Sequence, residues 1–130
     1  MGQPVAKKGD QVVGLDTHIV MVPSPAGPIP TPMPMPFAGQ IDGGTVATVF
    51  IDDHEVAVEG STATNQPSHI PAAGQFQKVP SNKATIKGAS ASVFAGDHGV
   101  ARNLDGAECC NDPVDQQTGN VIAGGSVFAE

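Results

Sequence analysis

Gly44-Thr45-Val46-Ala47-Thr48-Val49-Phe50-Ile51-Asp52-Asp53-His54-Glu55-Val56-Ala57 returns forty-four positions later as Gly88-Ala89-Ser90-Ala91-Ser92-Val93-Phe94-Ala95-Gly96-Asp97-His98-Gly99-Val100-Ala101. A clipped third copy, Ile122-Ala123-Gly124-Gly125-Ser126-Val127-Phe128, stands near the end of the chain. A unit this short cannot bury its own apolar face, so copies must pack on one another or on a partner. On this basis the 130 residues form one domain. It comprises an N-terminal segment (1–11), a proline-rich strap (23–37), two repeats (44–69 and 88–113) and a partial third repeat (121–128).

Gly and Pro supply 28 of the residues (16 and 12), which leaves helical periodicity nowhere to run. An interior Gly costs a helix about 1 kcal/mol and a Pro about 3 relative to Ala. Thr45–Ile51, Ala89–Phe94 and Val121–Phe128 read instead as short strands bounded by glycine. Asp52-Asp53 and Gly96-Asp97 are turn material, because Asp and Gly tolerate the positive φ of tight hairpins. The expected fold is all-β.

Seven prolines from Pro23 to Pro36 interleave with Met33 and Met35. Proline lacks the amide donor, so the segment is expected to be extended and largely unpaired. It reads either as a solvated tether or as an ordered strap. The apolar Val20, Met21, Val22, Ile29 and Phe37 favour the strap.

With no Trp or Tyr and only five Phe, each buried side chain removes little area from water. A core this thin calls for a metal, a crosslink or a partner. Thirteen acidic against six basic residues argue against nucleic acid or an anionic membrane surface. No run approaches the roughly 18 apolar residues of a membrane anchor. The first ten residues lack a signal-peptide pattern, so synthesis in the cytoplasm and export by another route are expected.

Cys109 and Cys110 are adjacent, which disfavours a disulfide between them and suggests metal ligation. His54 and His98 occupy equivalent places just after the hairpin turns. His18, His69 and the cysteines lie in segments outside the hairpins. A five-residue strand spans roughly 17 Å, too far for one tetrahedral ion to collect both groups. The expected site therefore joins His18, His69 and Cys110, with Cys109 as candidate fourth ligand and His54 and His98 excluded. The plainer alternative is surface histidines and core cysteines. Nothing resembles a nucleophile elbow, a phosphate loop or a helical HExxH motif, so no enzyme is expected.

The Gly-x-x-x-x-Val-Phe hairpins, each followed by Val-Ala, and the Cys110-Asn111-Asp112-Pro113 segment resemble the PAAR-repeat and PAAR-like spike-tip proteins. These cap contractile injection machines: type VI secretion systems and extracellular phage-tail-like particles. The literal Pro-Ala-Ala-Arg is missing; the hairpins end Val56-Ala57-Val58 and Val100-Ala101-Arg102. The resemblance, from about Val12 to Phe128, implies a β-rich cone whose apex is held by structural zinc on His18, His69 and Cys110. It also implies a base seated on a trimeric β-helical spike, where two copies and a remnant would soften the symmetry mismatch. The expected role is mechanical: to sharpen the spike and aid penetration of the target envelope, without a fused toxin domain. The alternatives are an adaptor that recruits effector cargo to the same spike, and a secreted β-rich binding module.

Overall fold

A computed structural model describes residues 2–130, and among them every regular element is a strand. In chain order these are β1 (Gln3–Pro4), β2 (Gln11–Val22), β3 (Ile29–Gly43), β4 (Val46–Ile51), β5 (His54–Val56), β6 (Thr62–Asn65) and β7 (Gln75–Phe76). They continue as β8 (Lys83–Ile86), β9 (Phe94–Ala95), β10 (His98–Gly99), β11 (Gly106–Cys109), β12 (Gln116–Ile122) and β13 (Phe128–Ala129). The body is built from strands outside the two matched hairpin stretches, Gly44–Ala57 and Gly88–Ala101. Six antiparallel strands run β12-β11-β8-β6-β3-β2, and β12 pairs with β2 to close a barrel, with β7 added on β2. Closure removes the open sheet edges that invite aggregation. Val12, Phe37, Ile41, Ile86, Val121 and small alanines fill the buried core.

The repeated stretches form a separate layer. β4–β5 turns at Asp52 and Asp53 (φ 49° and 66°), and β9–β10 at Gly96 and Asp97 (φ 56° and 70°). Two consecutive positive φ values give the primed turn that matches strand twist. The third copy departs from the expected strand over Val121–Phe128. Its strand β12 ends at Ile122, and β13 pairs with β1 from the other end of the chain, Phe128 opposite Pro4. Phe50 faces Glu55 and Phe94 faces Gly99 in the same way. The remnant is therefore completed by the N-terminal segment rather than left partial.

These three units are related by a backbone pseudo-threefold axis. Ala57 N–H donates to Ala6 O (3.0 Å), Ala6 to Ala101 (2.8 Å), and Ala101 to Ala57 (2.9 Å), closing a ring. A second ring runs from Lys8 to Glu55, Glu59 to Gly99, and Asn103 to Pro4. Each unit then turns into the barrel identically. Asp10, Ser61 and Asp105 donate backbone N–H groups to Lys7, Val58 and Arg102, and return side-chain oxygens to the same residues' N–H groups. Val5, Val56 and Val100 form a buried apolar cluster of this layer with Ile51, Ala95 and Ala129. The alanines are fully buried, and only small side chains allow three backbones to meet so closely.

The proline-rich segment is a strand, not an unpaired strap. β3 pairs with β2 in continuous register from Gln11↔Gln40 to Val22↔Ile29. Pro30, Pro32, Pro34 and Pro36 fall on every second position, and the backbone phase explains why they are tolerated. Ile41, in the odd phase, donates N–H to Asp10 O on the β2 side, whereas Ala38, in the even phase, donates to Asn65 Oδ1 on the opposite side. The prolines share the even phase, so the donors they lack would have pointed away from β2. Proline is confined to such edge positions in sheets. Beyond the barrel the paired strands continue as a ribbon, eight residues from Leu15 to Val22, or roughly 26 Å.

Candidate metal centre

Strand β2 reads Val12-x-Gly14-x-Asp16-x-His18-x-Val20, and side chains two apart share a face. The face that buries Val12 and Val20 therefore also buries Asp16 and His18, which are 0% and 1% exposed. The segment after β6 returns His69 to them, and Cys110 follows β11. Asp16, His18, His69 and Cys110 each offer one ligand atom, and these atoms all lie within 4.8 Å of one another. This group of four can hold a metal ion. The cluster sits where the ribbon leaves the barrel, at the end away from the hairpin layer.

Asp16 Oδ2 is 2.8 Å from His69 Nε2 and 3.3 Å from Cys110 Sγ; Cys110 Sγ is 3.7 Å from His18 Nε2. Bonds of about 2.0–2.3 Å to a tetrahedral ion place ligand atoms roughly 3.3–3.8 Å apart. The four groups need only small adjustments to meet that spacing. Among the described residues, two buried polar atoms, Asp16 Oδ1 and His18 Nδ1, have no hydrogen-bond partner. An unanswered carboxylate oxygen in the interior is costly, and a cation would answer it.

The surroundings hold the ligands in place. Asp112 Oδ2 lies 3.5 Å from His18 Nδ1 and accepts the Ile19 N–H at 2.9 Å, while Asn111 Oδ1 accepts the Thr17 N–H at 2.7 Å. The Cys110–Asp112 segment is thereby stitched to the back of β2. Asn65 Nδ2 sits 3.3 Å from His69 Nδ1, and Asn82 Oδ1 accepts the His69 backbone N–H at 2.8 Å. Such outer partners orient ligating side chains.

Burial lowers the pKa of His18, with Asp112 opposing that shift, so its imidazole is neutral. Burial, with the Asp16 charge second, pushes the Cys110 thiol up to about 11. Cys110, His18 and Asp112 form a line resembling a catalytic triad, yet a thiol held protonated and 3% exposed is a poor nucleophile. A bound cation inverts this logic by favouring thiolate.

His18, His69 and Cys110 meet in one cluster. Cys109 does not belong to it. As the last residue of β11 it turns into the barrel, where a Cβ added at Gly119 would lie 2.6 Å from its Sγ. Burial, with the Asp16 charge second, raises the pKa of the Cys109 thiol, so it borders the cluster; the fourth member of the group is Asp16. His54 and His98 are exposed on β5 and β10 in the hairpin layer. Sequence reasoning missed Asp16. Its signal was a carboxylate in phase with Val12, His18 and Val20 on a half-apolar strand. No family model matches this chain, and neither the search of curated proteins nor that of solved structures finds a match.

Proposed function

We propose that the protein is a metal-stapled cap on the threefold end of a β-helical spike, in the manner of PAAR-like tips of contractile injection machines. One observation carries this reading. Phe50, Phe94 and Phe128 occupy the same register in the three units and are 58%, 61% and 60% exposed. Each is preceded by an exposed valine: Val49, Val93 and Val127. A monomer that repeats one apolar pair three times about a pseudo-threefold axis is suited to a trimeric partner. A single asymmetric chain could then seat on three identical subunits. Burying an aromatic side chain fully is worth about 1.5–3 kcal/mol, so three anchors supply useful affinity.

The cluster at the opposite end would take structural zinc. His, Cys and carboxylate are all zinc ligands, and four protein ligands leave no open position for catalysis. Binding free energy at such a site becomes folding free energy and would lock the ribbon to the barrel under axial load. The cap would be made in the bacterial cytoplasm, ride at the particle tip and aid penetration of the target envelope.

The test mixes the purified chain with a trimeric spike and measures the mass of the complex. One chain per trimer supports the reading; a monomer with no affinity for the trimer refutes it. Retention of a toxin by the assembled complex would favour the cargo-adaptor alternative.

A further inference from the structure

We propose that the outer edge of β2, from Leu15 to Val22, is an interaction surface for a second copy of this chain, kept shut by two straps that the metal cluster clasps. The inference rests on the cluster as a metal site and goes beyond the spike-cap role.

Past Gly14, where its pairing with β12 ends, β2 keeps β3 on one side and leaves the barrel on the other. Two segments cover that second side. In the first, Asn111 Oδ1 accepts the Thr17 N–H, Asp112 N–H donates to Thr17 O (2.8 Å), and Asp112 Oδ2 accepts the Ile19 N–H. In the second, Gln77 N–H donates to Ile19 O (2.9 Å), while β7 sets Phe76 against Val20 and Gln75 against Met21. Each strap grows from a member of the cluster: Asn111 follows Cys110, and β7 follows His69 within a few residues. Cys110 and His69 meet Asp16 and His18 of β2 itself, so a cation shared by the four pins both straps to the strand they cover. Without a cation, Asp16 Oδ1 and His18 Nδ1 stay buried and unanswered, a cost relieved when the straps part and water enters.

The two edges of the ribbon are guarded differently. Open edges avoid unwanted pairing by carrying proline or an outward charge. On its open side β3 has Pro30, Pro32, Pro34 and Pro36, which offer a partner strand no donor. Between Leu15 and Val22, β2 has no proline, and its ionisable side chains, Asp16 and His18, are buried. Its guard is the pair of straps. Uncovered, Thr17-His18-Ile19-Val20-Met21-Val22 is an edge rich in β-branched and apolar residues. A second copy laid antiparallel, with Ile19 opposite Ile19 and Thr17 opposite Met21, lets the groups now bonded to the straps bond one another. The chain carries a net charge of −7, yet no outward charge on this edge opposes the pairing. Proline closes the β3 edge, so each copy brings one free edge and the assembly stops at a twofold dimer.

The test compares the zinc-loaded chain with the same chain stripped by EDTA, using sedimentation velocity and hydrogen exchange. The loaded chain is expected to sediment as a monomer; stripping should double its mass, and added zinc should restore the monomer. In dilute stripped samples the Thr17 and Ile19 amides should exchange faster, while Ile41 in the barrel stays protected. Ile19→Pro gives β2 the edge that β3 has, and Ile19→Lys sets like charges directly opposite each other. Either variant should still take up about one zinc and remain monomeric once stripped. Pro32→Ala with Pro34→Ala frees the second edge, and that variant should grow beyond a dimer when stripped. A stripped chain that stays monomeric, a dimer with and without zinc, or loss of Ile41 protection on stripping overturns the proposal. So does an undiminished dimer in an Ile19 variant that binds zinc. A chain that takes up no zinc overturns the metal site as well, whereas zinc uptake without dimerisation on stripping leaves that site standing.

Discussion

Cys110 Sγ lies 3.3 Å from Asp16 Oδ2 although ninety-four positions separate the two residues. A thiol raised to about 11 beside a buried carboxylate with one unanswered oxygen is an arrangement that a divalent cation would relieve.

The purified chain is expected to carry about one zinc, which Asp16→Ala, His69→Ala and Cys110→Ser each abolish. Loss of a staple worth several kcal/mol should lower Tm by roughly 10 °C or more in a domain of this size. Cys109→Ser, His54→Ala and His98→Ala should keep the metal. Elemental analysis with thermal melts checks both sets; equal loss of metal in all six variants refutes the assigned site.

Metal uptake should release a proton at neutral pH. His18, its pKa lowered by burial, is already neutral at pH 7, whereas the Cys110 thiol at about 11 still holds its proton. Binding therefore displaces about one proton, and affinity falls about tenfold for each pH unit lowered. Deeper in acid, where His18 also protonates, the fall steepens. Calorimetry in buffers of different ionisation enthalpy measures the proton count; a count of zero contradicts thiolate ligation.

Replacing Phe50, Phe94 and Phe128 by Ser is expected to abolish spike binding with little change in Tm, because all three side chains are largely exposed. Single replacements should weaken binding by about tenfold or more each. Unchanged affinity in the triple variant rules out the hairpin layer as the seat.

Enlarging an axial residue should have the opposite signature. Ala57→Leu or Ala101→Leu forces a larger side chain into the ring of three backbones and is expected to cost about 1–3 kcal/mol, seen as a Tm lower by several degrees. A neutral result at both positions denies the close packing on the axis.

β13 pairs with β1 where the other units pair across a two-residue turn, so the third hairpin is built from two segments far apart in the sequence. A circular permutant that joins Glu130 to Gly2 through a short Gly-rich linker and opens between Asp52 and Asp53 should fold and bind zinc. Failure to bind zinc counts against the equivalence of the three units.

The all-β class was determined by local chemistry: Gly and Pro interrupt most windows long enough for a helix, the free run Thr45–Glu59 is rich in β-branched residues, and Val-Phe followed by Asp-Asp or Gly-Asp suffices for strand and turn. The nearness of His18, His69 and Cys110 was also within reach of the sequence, since the repeat separates hairpins from the segments outside them. Tertiary structure decided the rest. Closing the barrel requires β12 to meet β2, and completing the third unit requires Phe128 to meet Pro4. Such pairings depend on hydrogen-bond register between distant segments, which no local pattern specifies. The prolines read as unpaired because proline lacks a donor; only the partner strand shows that the missing donors face away from it. Asp16 became a ligand candidate through burial beside His69 and Cys110, because a carboxylate's role depends on the dielectric and neighbours that folding brings to it.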